Sequence, residues 1–294
     1  MSFIGLICCT LLIAGCSDSS VGTTGGSGAP VVKTPDGRLV ADGNDAKTYS
    51  LIVSSGYNYE TPDKSGEHAK EPFRHIRQRY DEELGRHVFD FYLHLQNDDD
   101  RGKANITDRQ RNEIKTDAKS PSFMYAVDGE TLKIEWLFRL PEGMKTTTKF
   151  SHIHQLKGID NESGTADVSQ PILTFTVRSV SGGQQFQIIH NGPSPSSSET
   201  LLKTDLAPFL GQWVKVTETV FFAKDGSYSV LVERVSDGRQ LARLEGVQRD
   251  FRRDETPGYR PKWGLYRYFG EGRSLASQLR DETLSFADFS IKKL

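Results

Sequence analysis

The stretch Thr131-Leu-Lys-Ile-Glu-Trp-Leu-Phe-Arg-Leu140 alternates apolar and polar side chains along most of its length. Apolar residues stand at positions 132, 134, 136, 138 and 140. A second stretch, 213–222, repeats the pattern with valines at positions 214, 216 and 220 and polar residues between them. Because successive residues of a β-strand point to opposite faces, this period of two predicts half-buried antiparallel strands.

Strand-like runs continue on both sides of these two stretches. They cover 88–95, 149–157, 172–180, 185–190, 227–235 and 284–291. Asp-Gly pairs at 128–129, 225–226 and 237–238 supply turn signals between them. A short helix is expected only within 67–84, and no internal repeat is present. The sequence therefore predicts an all-β protein, a β-jelly-roll sandwich of two antiparallel curved sheets with a concave cleft.

Length and charge narrow the class of protein further. The chain has 294 residues, 36% hydrophobic content and a formal net charge of −2. We expect one catalytic or binding domain over 31–294, acting as a monomer. A near-neutral balance disfavours general binding to nucleic acid or to a membrane surface, since both need a dominant basic surface. Any functional basic cluster is therefore local.

The N-terminus has the pattern of an export signal. An apolar run over 3–13 leads into Ile13-Ala-Gly-Cys16, which resembles a bacterial lipobox. The run is too short and too interrupted for a transmembrane helix. We predict a signal peptide over 1–16, a flexible Ser/Gly/Thr linker over 17–30 and a lipid anchor on Cys16. The protein would then be an exported lipoprotein at the periplasmic or cell-surface face, although a chance apolar N-terminus remains the alternative.

Three short segments carry the side chains that suggest chemistry. They are Arg111-Asn-Glu-Ile-Lys115, Gln155-Leu-Lys157 and Lys262-Trp-Gly-Leu-Tyr266. Each alternates polar with apolar residues, so its polar side chains share one face of a strand. One sheet that contained all three strands would present three polar rows together. Such a surface suits an acidic polymer.

The three segments resemble the motifs of the jelly-roll alginate lyases of polysaccharide lyase family 7. Those motifs read Arg-x-Glu-x-Arg, Gln-Ile-His and Tyr-Phe-Lys-Ala-Gly-x-Tyr, and the segments here follow in the same order. Lys157 stands where that family has its histidine. The chain therefore looks more similar to the ulvan lyases of polysaccharide lyase family 28, which share the fold and use a Lys/Tyr pair.

The resemblance implies cleavage of a uronate polymer, with ulvan as the leading substrate, by β-elimination. Lys157 and Tyr266 would be the catalytic residues, with Lys157 as base and Tyr266 as acid, or with Tyr266 in both roles. A lysine base must lose its proton near neutral pH, which needs burial or nearby cations. His154 is the alternative base.

Substrate binding is expected from five residues: Arg111, Gln155, Lys115, Lys262 and Arg267. Arginine and amide donors suit the uronate carboxylate, on which enolate-like charge develops in the transition state. The partner is expected to be an acidic polysaccharide, sulfated in the case of ulvan. Alginate and glucuronan are the alternative substrates.

No metal or cofactor is assigned from the sequence. His152 and His154 have the spacing of metal ligands on a strand, but zinc sites usually add a third protein ligand and none stands beside them. The acidic run 97–100 carries oxygen ligands of the kind that calcium prefers, which leaves a structural calcium open.

Two other functions compete with the lyase prediction. A glycoside hydrolase needs two carboxylates beside the scissile bond, and no clustered carboxylate pattern is found on a predicted strand. A non-catalytic glycan-binding lipoprotein would use Trp136, Trp213 or Trp263 as a stacking platform. The product distinguishes the three, because only a lyase creates an unsaturated uronate.

Overall fold

The alternating stretch that opened the sequence analysis forms the central part of a large antiparallel sheet. The computed structural model describes residues 34–64, 73–103, 105–193 and 197–294. Within them the strands, in chain order, are β1 (Arg38–Leu39), β2 (Asn58–Glu60), β3 (Ile76–Asp81), β4 (Arg86–Leu93), β5 (Arg109–Lys115), β6 (Glu130–Arg139), β7 (Ser151–Gly158), β8 (Leu173–Val180), β9 (Gly183–Asn191), β10 (Ser198–Asp205), β11 (Trp213–Phe222), β12 (Gly226–Arg234), β13 (Gln240–Arg249), β14 (Tyr259–Tyr268) and β15 (Glu282–Lys293). One α-helix, α1, covers Thr48–Ser54.

The strands form two antiparallel sheets. The first has the order β13-β12-β11-β6-β15-β4-β3, with β1 added on β15. The second has the order β10-β9-β8-β7-β14-β5-β2. The two alternating stretches, β6 and β11, lie next to each other, with Trp136 opposite Val216. The predicted two-sheet, all-β sandwich is confirmed.

The core lies between the sheets and is rich in aromatic side chains. Trp136 and Phe286 of the first sheet and Phe175 and Trp263 of the second are fully or almost fully buried. The ring centroids of Trp136 and Phe175 are 5.8 Å apart, which places the two sheets in direct side-chain contact. Burial of large rings of this kind is a main source of stability in a domain without disulfides.

One carboxylate is fully buried in this core and is satisfied there. Glu218 accepts hydrogen bonds from Trp136 Nε1 at 3.0 Å and from Tyr228 Oη at 2.7 Å. His154 Nε2 lies 3.2 Å from the same carboxylate. Because a buried polar group costs free energy unless it is hydrogen-bonded, these partners explain why the core tolerates Glu218.

The structure differs from the sequence prediction at several elements. The helix expected within 67–84 is wrong for the part that is described, since Ile76–Asp81 is strand β3. Edge strands β10 and β13 were not predicted, because they are largely exposed and lack a clear apolar face. The predicted signal peptide, linker and Cys16 lie outside the described residues. Among the described residues there is no helix long and apolar enough to span a bilayer.

Candidate active site

The three polar segments lie on three adjacent strands of the second sheet. In β14, Lys262 is opposite Lys115 of β5 on one side and Gln155 of β7 on the other. Tyr266 is opposite Arg111 of β5, and on its other side it faces His152 of β7. The sheet therefore brings side chains more than 150 positions apart in the chain into neighbouring rows.

A cavity of about 320 Å³ opens over these rows. Residues of β5, β7, β8, β9, β10 and β14 line it, together with loop residues near 170. On β5, β7, β8 and β14, the titratable and amide side chains that line it are Arg109, Arg111, His152, Gln155, Lys157, Arg178 and Tyr266. We call this set the cavity wall. Four of the residues predicted from sequence, Arg111, Gln155, Lys157 and Tyr266, belong to it.

Lys157 is the predicted base, and its environment favours the neutral amine. Burial and nearby positive charge lower its pKa to about 7. The nearby cations are Lys262, Arg111 and Arg260. Among the residues that the structure describes, Lys157 forms no ion pair with a carboxylate. The neutral amine that a base requires is therefore accessible to Lys157 near neutral pH.

Tyr266 is held at both its hydroxyl and its ring. Arg109 donates a hydrogen bond from NH1 to Tyr266 Oη at 3.1 Å. The guanidinium carbon of Arg111 lies 3.7 Å from the centroid of the Tyr266 ring, a close cation–π contact. Arg109 is itself fixed by Asp108, whose Oδ1 accepts from Nε at 2.6 Å. Two arginines therefore set the position of the phenol.

A register shift in β7 decides which histidine faces the cavity. His152 is opposite Thr176 of β8, whereas His154 is opposite Phe175, so Ile153 is an extra residue on this side of the strand. The shift places both His152 and Gln155 on the cavity side, although they are three positions apart. A β-bulge has this effect because it interrupts the alternation of faces.

His154 is therefore not available as a base, which corrects the sequence prediction. Its side chain is fully buried in the core against Trp136 and Glu218. His152 lines the cavity instead, with Nδ1 2.7 Å from Thr176 Oγ1. Burial, followed by the charge of Arg178, lowers the pKa of His152 to about 3, so this ring is neutral. The two histidines point to opposite sides of β7 and do not share a metal site.

Three carboxylates lie below the cavity wall and bind its cations. Glu60 of β2 accepts from Lys262 Nζ at 2.7 Å and from Lys115 Nζ at 2.9 Å. Glu113 lies 2.7 Å from Lys262 Nζ and accepts from Gln155 Nε2. We call Glu60, Glu113 and Asp100 the carboxylate layer. Although burial alone would raise the pKa of Glu60, the surrounding cations hold it well below its usual range.

Arg111 connects the two layers. Its Nε donates to Asp100 Oδ1 at 2.9 Å, and its NH1 donates to Glu113 Oε2 at 2.7 Å and to Glu60 Oε2 at 3.1 Å. Three carboxylates thus neutralise this guanidinium, which is 6% exposed. Arg111 orients Tyr266 and the floor of the cavity more than it offers free positive charge.

Three predicted substrate-binding residues do not reach the cavity, which corrects the sequence prediction. Lys262 is 1% exposed and is bound between Glu60 and Glu113. Lys115 is bound to Glu60 and is not part of the cavity lining. Arg267 is fully buried and donates from Nε and NH2 to Gln110 Oε1 at 3.0 and 2.8 Å. Arg267 follows Tyr266 in the strand, so it points to the opposite face.

Two arginines that line the cavity, Arg109 and Arg178, were not predicted from the sequence. Arg109 continues the alternating row of β5 by one step before Arg111, and an extension of that row would have found it. Arg178 lies on a strand that was predicted, but no motif marked it. Within the described part of the chain, Nε of Arg178 and both Nε and NH1 of Arg260 are buried without a hydrogen-bond partner. Arg260 lies opposite Lys157.

Gly264 is required by the close approach of β14 to β5. It has φ of +143°, and a Cβ atom there would lie 2.0 Å from the carbonyl oxygen of Asn112. A side chain at this position would push the two strands apart. The glycine, itself opposite Glu113, therefore keeps Lys262 and Tyr266 in register with Lys115 and Arg111 of β5.

Comparison with known proteins gives matches at the level of structure only. No protein-family model matches the chain, and no curated protein matches its sequence. Alginate lyase AlyC3 is 12% identical with a TM-score of 0.51, over 87% of this chain and 96% of that one. Alginate lyase A1-II', a member of polysaccharide lyase family 7, is 12% identical with a TM-score of 0.50, over 84% and 97%.

A substituted form of alginate lyase A1-II' in complex with a product written GGG gives a TM-score of 0.52 at 13% identity, over 84% of this chain and 98% of that one. Coverage is thus nearly complete for each of these known chains, whereas sequence identity is low. The likeness is one of fold. This protein has the β-jelly-roll fold that these alginate lyases share.

Proposed function

We propose that the protein is a polysaccharide lyase that cleaves a uronate polymer by β-elimination, a carbon–oxygen lyase reaction. The observation that carries the proposal is the presence in one cavity of Lys157, which has a pKa of about 7 and no ion pair within the described part of the chain, and of a Tyr266 hydroxyl held by Arg109. Elimination requires a base that removes the proton from carbon and an acid that protonates the leaving oxygen. The jelly-roll fold agrees with the proposal.

The elimination moves one proton from the sugar to Lys157 and one from Tyr266 to the leaving oxygen. The Lys157 amine takes the proton from the carbon next to the uronate carboxylate. The electron pair of that C–H bond forms a carbon–carbon double bond, and the bond to the 4-linked oxygen breaks. Tyr266 gives its hydroxyl proton to the leaving oxygen, and the lysine ammonium restores it through solvent. No water molecule is consumed.

The carboxylate of the sugar must be neutralised, because enolate-like charge develops on its oxygens in the transition state. Gln155 suits this role: Glu113 accepts one amide hydrogen and fixes the side chain, which leaves the second N–H for the substrate. The guanidinium of Arg178, which has no carboxylate partner among the residues that the structure describes, adds positive charge in the same cavity.

His152 is the alternative base, and pH dependence separates it from Lys157. A base works when it is deprotonated, so catalysis by Lys157 increases as pH rises through about 7. Catalysis by His152, whose pKa is about 3, would be independent of pH through the neutral range. Since the proton donor does not change between the two, the lower limb of the kcat–pH profile identifies the base.

We propose ulvan as the substrate, with alginate and glucuronan as alternatives. Ulvan carries sulfate groups in addition to its uronates, and Arg178, which lines the cavity and whose Nε has no hydrogen-bond partner among the described residues, supplies a guanidinium for a second anion. Alginate and glucuronan carry carboxylates alone. A guanidinium donor in the same cavity as Lys157 therefore favours ulvan, which carries both carboxylates and sulfates.

A non-catalytic glycan-binding function is less well supported. It needs exposed aromatic platforms, and all three tryptophans, Trp136, Trp213 and Trp263, are fully buried.

We further propose that the enzyme is exported and anchored through Cys16, on the basis of the lipobox-like sequence. Labelling with a radioactive fatty acid, compared between the natural chain and Cys16→Ser, tests the anchor.

The deciding experiment measures ultraviolet absorbance of unsaturated uronate during incubation with ulvan, alginate, glucuronan and heparin. We expect absorbance to rise with ulvan and to be abolished in Lys157→Ala and Tyr266→Phe. Lys215→Ala, an exposed lysine on the other sheet, and Tyr80→Phe, an exposed tyrosine, are the matched controls. No rise with any polymer, together with retained binding, would reject the lyase function.

A further inference from the structure

Outside the cavity, three side chains converge on one point. His75 directly precedes β3, whereas His94 and Asp98 belong to the loop that follows β4. His75 Nε2 lies 3.0 Å from Asp98 Oδ1 and 3.3 Å from His94 Nδ1, and His94 Nδ1 lies 3.5 Å from Asp98 Oδ2. These three residues, which we call the His/His/Asp cluster, place two imidazole nitrogens and a carboxylate within reach of one ion.

The spacing within the cluster suits a tetrahedral metal ion. Zinc binds histidine nitrogen and carboxylate oxygen at about 2.0–2.2 Å, so two ligands of one tetrahedral ion lie roughly 3.4 Å apart. His75 Nε2 and His94 Nδ1 are 3.3 Å apart, close to that value. The Asp98 carboxylate reaches them with different oxygens, Oδ1 at 3.0 Å from His75 and Oδ2 at 3.5 Å from His94, and one atom of each residue can be chosen so that all three lie within 4.8 Å of one another. Two nitrogens in the set favour zinc or a similar transition metal over calcium, which prefers oxygen alone.

The surroundings add the outer contacts that metal-binding histidines usually have. His75 Nδ1, the nitrogen that faces away from the cluster, lies 3.3 Å from Asp63 Oδ1. Asp63 in turn accepts a hydrogen bond from Tyr49 Oη at 2.5 Å. A carboxylate on the second nitrogen fixes the tautomer and orientation of a ligating histidine. This arrangement directs Nε2 of His75 towards the other two ligands.

The His/His/Asp cluster is shielded from solvent on most sides and reachable from one side. The side chains of His75 and Asp98 are fully buried, whereas that of His94 is 29% exposed and opens the cluster to solvent on one side. The ring of Phe73 packs edge-on against both histidines, with centroids 5.0 Å from His75 and 4.9 Å from His94. A water molecule on the open side would complete a fourth position.

We propose that the His/His/Asp cluster binds one divalent transition-metal ion, of which zinc is the expected occupant, and that the ion has a structural role. It would join the start of β3 to the loop after β4. That loop also supplies Asp100, which binds Arg111 at the base of the cavity. Gln110 of β5 already donates from Nε2 to the carbonyl oxygens of His94 and Asp98 at 2.7 and 2.9 Å. The ion would thus stiffen one edge of the site without taking part in the reaction.

The competing account is a hydrogen-bonded cluster that binds no metal. To distinguish them, the full chain is stripped with a chelator, dialysed and titrated with zinc against a chromophoric chelator, with bound zinc counted by mass spectrometry. We expect about one zinc per chain. At a free zinc concentration a hundredfold above Kd, Tm should rise by roughly 5 °C. No tight site in the natural chain, or a Tm that zinc leaves unchanged, would overturn the proposal.

Variants test the assignment of ligands. His94→Ala removes the partly exposed ligand and should lower zinc affinity at least a hundredfold. Asp98→Asn, which keeps the shape of the side chain, should lower it at least tenfold. His87→Ala, a histidine of β4 outside the cluster, is the matched control and should bind zinc as the natural chain does. If His94→Ala folds, as judged by circular dichroism, and still binds zinc with unchanged affinity, the site is not the one proposed.

Discussion

Cations of the cavity wall that have no carboxylate partner differ from the cations that the carboxylate layer binds, although both groups contain lysine and arginine. In the wall, Lys157 and Arg178 have no carboxylate partner among the described residues. Lys262, beneath the wall, and Arg111, which belongs to the wall and connects it to the carboxylate layer, are each bound by Glu113 at 2.7 Å. A paired cation has a fixed position and little remaining charge, whereas an unpaired one at the edge of a cavity still attracts an anion. Pairing, rather than residue type, separates structural from reactive side chains here.

The largest effect is expected from a change that keeps the charge of the wall and removes its base. Lys157→Arg leaves a cation in place, but arginine does not deprotonate. We expect kcat to fall by about 10³-fold, the scale of a lost general base. Tm should change little, because Lys157 forms no ion pair in the described structure. A variant that retained more than a tenth of the activity would move the base to another residue.

Substitution in the carboxylate layer should instead lower the free energy of unfolding. Glu113→Gln leaves Lys262 with Glu60 alone and removes one partner of Arg111. Breaking a buried pair of this kind costs about 3 kcal/mol, because a charge is left uncompensated. Unfolding in denaturant at neutral pH measures the change. Glu135→Gln, which breaks the half-exposed pair with Lys133, is the control and should cost less than about 1 kcal/mol.

Arg178 tests whether the unpaired cations of the wall bind substrate. Arg178→Gln should raise KM for a sulfated uronate polymer about tenfold, equivalent to about 1.4 kcal/mol. The effect on an unsulfated polymer should be smaller, since fewer anions contact the wall. Equal effects on both polymers would assign Arg178 to the uronate carboxylate instead of to sulfate.

The smallest expected effect concerns the pH profile. Arg260 is one of the cations that lower the pKa of Lys157. In Arg260→Gln that repulsion is absent, so the pKa of Lys157 should rise. The midpoint of the ascending limb of the kcat–pH profile should then move from about 7 to higher pH. Arg234→Gln, an exposed arginine paired with Asp237, should leave the midpoint unchanged.

Much of the fold could be predicted because its strongest signal is local. Alternation within 131–140 and 213–222 depends on neighbouring residues alone, and it identified the two central strands of the first sheet. The same rule grouped the polar rows of β5, β7 and β14, and strand pairing then placed those rows side by side. Edge strands gave a weaker signal, because neither of their faces is well buried.

The candidate site was harder to predict where it depends on distant or irregular features. His154 was named as the alternative base, but regular alternation puts His152 and His154 on the same face and cannot include the extra residue at Ile153 that separates them. Lys262 was taken for a substrate contact because nothing near it in the chain indicates Glu60, which lies 202 positions away. An ion pair between residues so far apart in the chain depends on the tertiary structure, and no pattern of neighbouring residues predicts it.

Gly264 is required for the arrangement of the site because it has no side chain. Every other member of the rows on β5 and β14 contributes a functional group, whereas this position contributes the absence of one, and the spacing between the two strands depends on it. Random substitution at this codon should therefore be as damaging as loss of a catalytic group, although the residue has nothing to react with. A search for similar sites that considers only reactive side chains would therefore miss Gly264, although the spacing of β5 and β14 depends on it.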